Sequence, residues 1–311
     1  MRNAFLSDRT ATDIDLRVMK VLRGLGNPEP PLDLAMVRDL QKLDRTYFSS
    51  GDDSVTREFV HKLKMAGKQL VLRPTLIWDV IRKFELKALY LPDRKRILID
   101  STLPIIKQRW GEGHEIGHSL IDWHELFMLG DDRLSLSPGC HAQLEAEANY
   151  AAARLLFLRD RVVQELNGSA PSIKNVQALG KTFGNSMTTT LWRVVEHLGV
   201  PAVGLVTDHP TRPGDESNPA EPCRYFIRSR MFERQFGKLS ELDLFAKIRG
   251  YCGFRTRGPL GEDEVLLADD NGQQHVFFLE TFFNGHDALT LGVYRTPKQV
   301  IAPSATIGTA L

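Results

Sequence analysis

Residues 110–118 read Trp110-Gly111-Glu112-Gly113-His114-Glu115-Ile116-Gly117-His118, and residues 144–149 read Leu144-Glu145-Ala146-Glu147-Ala148-Asn149. The first stretch carries two histidines four positions apart with a carboxylate directly after the first. On a helix such residues lie one turn apart on the same face, so both imidazoles can reach one cation. Glu115 adjoins His114 too closely to join them as a ligand, and is placed instead to take a proton from a water molecule. Ile116, Leu120, Trp123 and Phe127 form an apolar stripe on another side, which keeps the histidine face apart from the core face.

A catalytic zinc usually takes three protein ligands. The second stretch offers two carboxylates for the third position. Glu145 and Glu147 differ by about 200° around a helix, so only one of them can face the histidines. Glu145 has Asn149 one turn later, a polar pair on one face, whereas Glu147 has Ala151 there and lies near Leu144, Ala148 and Leu155. Metal ligands are held by polar neighbours, which favours Glu145. Six alanines between Ala142 and Ala153 allow this helix to approach the His114 helix closely, and the turn-rich stretch Gly130 to Gly139 lets the chain double back.

Around this centre the chain is that of an ordinary globular protein. With 311 residues, 42% hydrophobic and 25% charged, it has room for two domains. A formal net charge of +1 gives no basic surplus for a phosphate backbone, so direct DNA binding is not expected. Cys140, Cys223 and Cys252 are too few and too scattered for a disulfide framework and fit a reducing compartment. The N-terminal MRNAFLSDRTATDIDLR is polar and acidic, unlike a signal or transit peptide, and no run approaches the roughly 20 apolar residues of a membrane span. A cytoplasmic protein with no membrane partner is expected.

Along the chain, residues 1–30 end in GNPEPPLD and read as an N-terminal arm. Helical spacing follows from Asp33 to Ser49, from Thr56 to Lys68 and from Leu76 to Phe84. Lys87 to Leu91 and Arg96 to Asp100 read as a β-hairpin across PDRK, and the second of these strands as an edge on which a peptide could lie. One long helix is expected from Pro104 to about Met128, and another from His141 to Arg159. Lys174 to Gly199 has a helix–turn–helix pattern about Gly184-Asn185, with Ser186 as N-cap. Its second helix offers Arg193 as a cation, with Glu196 against it, so a structural role is favoured over groove binding. Asp208 to Pro222 reads as a linker, and the chain then turns β-rich, with RYFIR, one helix from Leu239 to Ile248, a hairpin turning at Asp270-Asn271-Gly272, and ALTLGVYR.

Taken together, RILID, Arg109-Trp110, HEIGH and EAEANYAAARLL, with 31 positions from His114 to Glu145, resemble the ImmA/IrrE family of zinc metallopeptidases over about residues 31–200. The resemblance implies an α+β, gluzincin-like peptidase core (31–173) with an active-site helix, a small sheet and a helical subdomain (174–199). It implies Zn2+ held by His114, His118 and Glu145, with Glu115 as catalytic acid/base. It further implies a bacterial regulatory endopeptidase that cleaves a helix–turn–helix transcriptional repressor and so releases stress, phage or mobile-element genes. Some members carry a GAF-like sensor domain after the core, and residues 200–311 follow that order. The sequence departs from the family at Ala151, where an aromatic is usual, and at Leu155-Leu156-Phe157-Leu158, in place of a Leu-Leu-Met-Pro ending.

The alternative is a ligand-sensing transcription regulator with a structural or vestigial zinc site. Glu115 speaks for catalysis, since a structural site needs no base and closes on a fourth protein ligand. Three neighbouring residues stay open. Asp122 is either an acceptor for the second nitrogen of His118 or a solvated carboxylate. Arg109 serves a substrate backbone or a helix end. Cys140 is a small packing residue or a thiolate that gates the metal. His124 is expected to point away from His118.

Overall fold

The computed structural model describes residues 2–48, 88–91, 95–129, 138–166, 170–211 and 222–295. The expected helices at Thr56 to Lys68 and Leu76 to Phe84, most of the loop before Glu145 and most of the linker after Asp208 lie outside them. The fold is mixed α+β, with helices and, among the described residues, two sheets. Its two compact units are Ala4–Ala170 with Lys174–Thr190, and Leu191–Leu311 with Met1–Asn3 and Pro171–Ile173. The division falls inside a helix, between Thr190 and Leu191. No helix among the described residues is long and apolar enough to cross a membrane.

The first unit opens with a helix where an arm is expected. α1 (Asp8–Gly24) starts at Ser7, whose hydroxyl accepts from the Thr10 amide, and buries Ile14, Val18, Val21 and Leu22 on one face. The Pro-rich ending misleads because it marks only the exit from this helix. The segment from Asp33 to Ser49 is not one helix either. α2 (Leu34–Gln41) stops where Lys42 takes a left-handed conformation, and DRTYF continues as strand β1 (Asp44–Phe48). Thr46 and Tyr47 suit a strand, and pairing with a neighbour overrides the helical spacing.

β2 (Ala88–Leu91) and β3 (Arg96–Asp100) form the expected antiparallel hairpin, Leu91 opposite Arg96. β1 joins the other side of β3 in parallel, giving the order β1-β3-β2. β3 is therefore the central strand, with Ile97 and Ile99 fully buried, and cannot receive a peptide. β2 is an outer strand among the described residues.

Helix α3 (Ile105–Leu120) packs on this sheet and ends at Ile121, whose backbone is extended; a separate helix, α4 (Asp122–Leu129), follows. The single long helix is thus corrected to two. The break changes the direction in which Trp123 and His124 point. α5 (Pro138–Leu156) crosses α3 very closely. A Cβ on Gly113 would lie 2.8 Å from Leu156 Cδ1, and one on Gly117 would lie 2.7 Å from the Ala148 carbonyl oxygen. α6 (Arg161–Leu166) and α7 (Ile173–Phe183) come next, followed by α8 (Met187–His197), which starts at Ser186 with its hydroxyl accepting from the Thr189 amide.

The second unit is built on a five-stranded antiparallel sheet in the order β5-β4-β8-β7-β6, from β4 (Ala202–Thr207), β5 (Cys223–Arg228), β6 (Gly258–Ala268), β7 (Gln274–Phe283) and β8 (Ala288–Tyr294). The β6–β7 turn uses Gly272 at φ 86°, and the Asp269 carboxylate accepts from the Asn271 and Gln273 amides. Two helices contribute to its core where one is expected: α9 (Arg230–Gln235) adds Phe232, and α10 (Glu241–Tyr251) adds Leu244 and Ile248 against Val203, Leu205, Phe277 and Leu279.

Candidate metal centre

The close α3–α5 crossing sets the distances at the candidate site. His114 and His118, one turn apart on α3, bring their Nε2 atoms to 3.2 Å. Glu145 on α5 reaches both, with Oε2 at 3.2 Å from His114 Nε2 and Oε1 at 3.5 Å from His118 Nε2. One ligand atom from each of the three lies within 4.8 Å of the others, the one such grouping among the described residues. Two zinc bonds of 2.0–2.1 Å at a tetrahedral angle span roughly 3.3 Å, close to the His–His separation found. The carboxylate presents different oxygens to the two rings, so it is the histidine pair that matches this span most directly.

The outward nitrogens tell which atoms are free to bind a cation. His114 Nδ1 lies 3.1 Å from Asn149 Oδ1, an acceptor, so Nδ1 carries the proton and Nε2 keeps its lone pair. Asn149 thus does what its position one turn after Glu145 suggests. His114 Nε2 is aimed at a carboxylate that has no proton to give, and a proton taken up on Nε2 satisfies the pair. Burial opposes charging His114, but hydrogen bonding to Glu145 and the charge of Glu115 outweigh it and hold its pKa above the ordinary histidine value. Burial raises Glu145, yet the two histidines more than reverse this and hold it well below the usual carboxylate range.

Glu115 is buried beside the pair, and that burial pushes its carboxyl up, against the opposing pull of His114 and His118. The Tyr90 backbone amide on β2 donates to it and fixes its direction. Glu145 is the exposed member, its side chain 41% accessible, so the site opens to solvent on that side.

His124 is corrected from the expected direction. Because α4 starts afresh after Ile121, its ring turns back, and its Nδ1 lies 2.9 Å from His118 Nδ1. Burial, with His118 adding to it, lowers its pKa to about 4. Its Nε2 lies 3.0 Å from Glu147 Oε2. Glu147, buried and apart from the ligand grouping, also accepts from Trp123 Nε1 at 2.7 Å and Gln143 Nε2 at 2.9 Å. Asp122 is occupied elsewhere, 2.8 Å from Arg17 Nη1. Arg109 takes the helix-end role, donating from Nη2 to the Phe183 carbonyl at the end of α7. Cys140 is half-buried near the start of α5 and does not join the grouping. Arg193 is buried, with about 1% of it exposed. The signal that could have revealed His124 is Asp122, a residue type that favours helix starts. A glutamate on an apolar helix face, such as Glu147, likewise demands buried partners.

No family model matches the chain, and comparison with curated proteins gives no match. Among solved structures, a Mycobacterium tuberculosis transcriptional regulator is similar over 98% of this chain and 96% of that one, with 16% identity and a TM-score of 0.50. At that identity the likeness is one of fold.

Proposed function

We propose that the chain is a zinc-dependent endopeptidase of the ImmA/IrrE type, with a gluzincin-like core and a helix–turn–helix transcriptional repressor as its substrate. One observation carries the reading: two imidazole Nε2 atoms and the Glu145 carboxylate converge at ligand distances, with a buried glutamate next to them that is not needed as a ligand. His114, His118 and Glu145 would hold the zinc. Bound zinc supplies Lewis-acid polarisation of a peptide carbonyl and of water.

The remaining work falls to side chains of this chain. Glu115, raised by burial and oriented by the Tyr90 amide, accepts a proton from the attacking water and passes it to the leaving amine. Asn149 holds the His114 ring. The outer strand β2, which supplies Tyr90, takes over from β3 as the strand on which an extended substrate would lie.

The test is co-expression with candidate helix–turn–helix transcriptional repressors. A cleavage product that disappears with chelator, or in Glu115→Gln, supports the reading; an intact repressor under zinc-replete conditions counts against this substrate.

The second reading, a ligand-sensing transcription regulator, draws on the name of the Mycobacterium tuberculosis neighbour. It accounts for residues 200–311 as a sensor but gives Glu115 nothing to do. Zinc binding without any peptidase activity would favour it.

A further inference from the structure

Beyond the ligands, His118 is linked through His124 to Glu147, and these last two are buried polar groups that the proposed chemistry leaves without a role. All three are largely closed to solvent, and His124 is completely so. A buried carboxylate is retained only with strong partners. Glu147 has three donors: Trp123 Nε1, Gln143 Nε2 and His124 Nε2. Two come from α4 and one from its own helix, and together they leave the carboxylate a fixed acceptor.

The positions of the protons follow. Glu147 accepts, so His124 Nε2 carries a hydrogen. Only one hydrogen fits between the two Nδ1 atoms 2.9 Å apart. If it belonged to His124, that ring would be a cation without any access to water, and His118 would be left to carry its own proton on Nε2, facing the site. If it belongs to His118, both rings are neutral and His118 Nε2 presents a lone pair toward His114 and Glu145. Full burial of His124 selects the second arrangement.

We propose that His124 and Glu147 are positioning residues: a carboxylate–imidazole relay that fixes the His118 tautomer and ring orientation and thereby sets metal affinity. The inference rests on the zinc reading of the site. Such supporting partners commonly contribute about 10–100-fold to metal affinity.

The experiment uses the full chain at a fixed pH of 7.5. In the zinc-free wild type, 15N NMR of the imidazoles should show His118 protonated at Nδ1, with a 15N–15N coupling across the hydrogen bond to His124 Nδ1. Competition with a chromophoric chelator should then show zinc bound about 10–100-fold more weakly by His124→Ala and Glu147→Gln, at unchanged stoichiometry. His124→Gln, whose amide oxygen can accept from His118 Nδ1, should recover part of the loss. A zinc-free His118 protonated at Nε2 overturns the relay, as do variant affinities within twofold of wild type; the NMR measurement needs no variant to fold. Wild type that binds no zinc at all is a different result, and overturns the zinc reading together with this inference.

Discussion

A methyl group on the α-carbon of Gly117 would stand 2.7 Å from the Ala148 carbonyl oxygen, closer than side chains pack against backbone. This one approach sets the spacing of the two helices that carry the candidate ligands, since Gly117 precedes His118 and Ala148 lies one turn past Glu145.

Gly117→Ala sets two effects against each other. Helix propensity gains about 1 kcal/mol, while overpacking against backbone costs about 1–3 kcal/mol. The clash should win by roughly 1 kcal/mol, seen as a lower melting temperature. Zinc affinity should fall as well, because α3 must move away from Glu145. An unchanged melting temperature and unchanged zinc affinity would show that the crossing is looser than it looks.

Glu112 is buried on α3 between Arg38, at 2.6 Å, and Arg45, at 2.9 Å. Removing it strands two cations that keep partial access to water, so the loss is smaller than for a fully enclosed pair. Glu112→Ala should cost about 2 kcal/mol in denaturant unfolding, with zinc stoichiometry intact.

Metal content should separate the two glutamates of α5. Glu145→Ala is expected to lose stoichiometric zinc on dialysis, whereas Glu147→Ala keeps one zinc per chain at reduced affinity. The reverse result would move the third ligand to Glu147.

On the proposed zinc reading, zinc and a proton would compete for His114, whose pKa is held above the ordinary 6.5. Below that raised value the ring is charged and paired with Glu145; as pH rises through it, Nε2 is freed. Zinc affinity should therefore climb with pH through a midpoint above 6.5. The zinc-free protein has the opposite dependence. Its His114–Glu145 pair stabilises the fold fully below the unfolded-state pKa, and that contribution is lost as pH rises through the folded-state value. A midpoint at or below 6.5 in zinc titrations would contradict the assignment.

What the sequence made legible was local. Four-residue spacing put His114 and His118 on one face, and Asn149 one turn after Glu145 marked the polar side of α5. Lys87 to Leu91 and Arg96 to Asp100 were readable as a hairpin because alternation and a turn coincide there. What was hidden depends on tertiary partners. Nothing within RILID tells that β1 pairs on its far side in parallel, so a central strand looked like an edge. The break at Ile121 is one residue long and sits inside continuous helical spacing, and it alone decides where His124 points. Glu147 looked misplaced on an apolar face because its donors, Trp123 and His124, arrive from across that break.

The most direct test of the peptidase account measures zinc content and repressor cleavage in the same samples of wild type and Glu115→Gln. The amide keeps the shape of the carboxylate but cannot accept the proton of the attacking water, a contribution of about 100- to 10,000-fold in rate. The account predicts one zinc per chain in both proteins, with cleavage by Glu115→Gln reduced by at least that lower factor. A zinc-loaded Glu115→Gln protein that cleaves at the wild-type rate would contradict it.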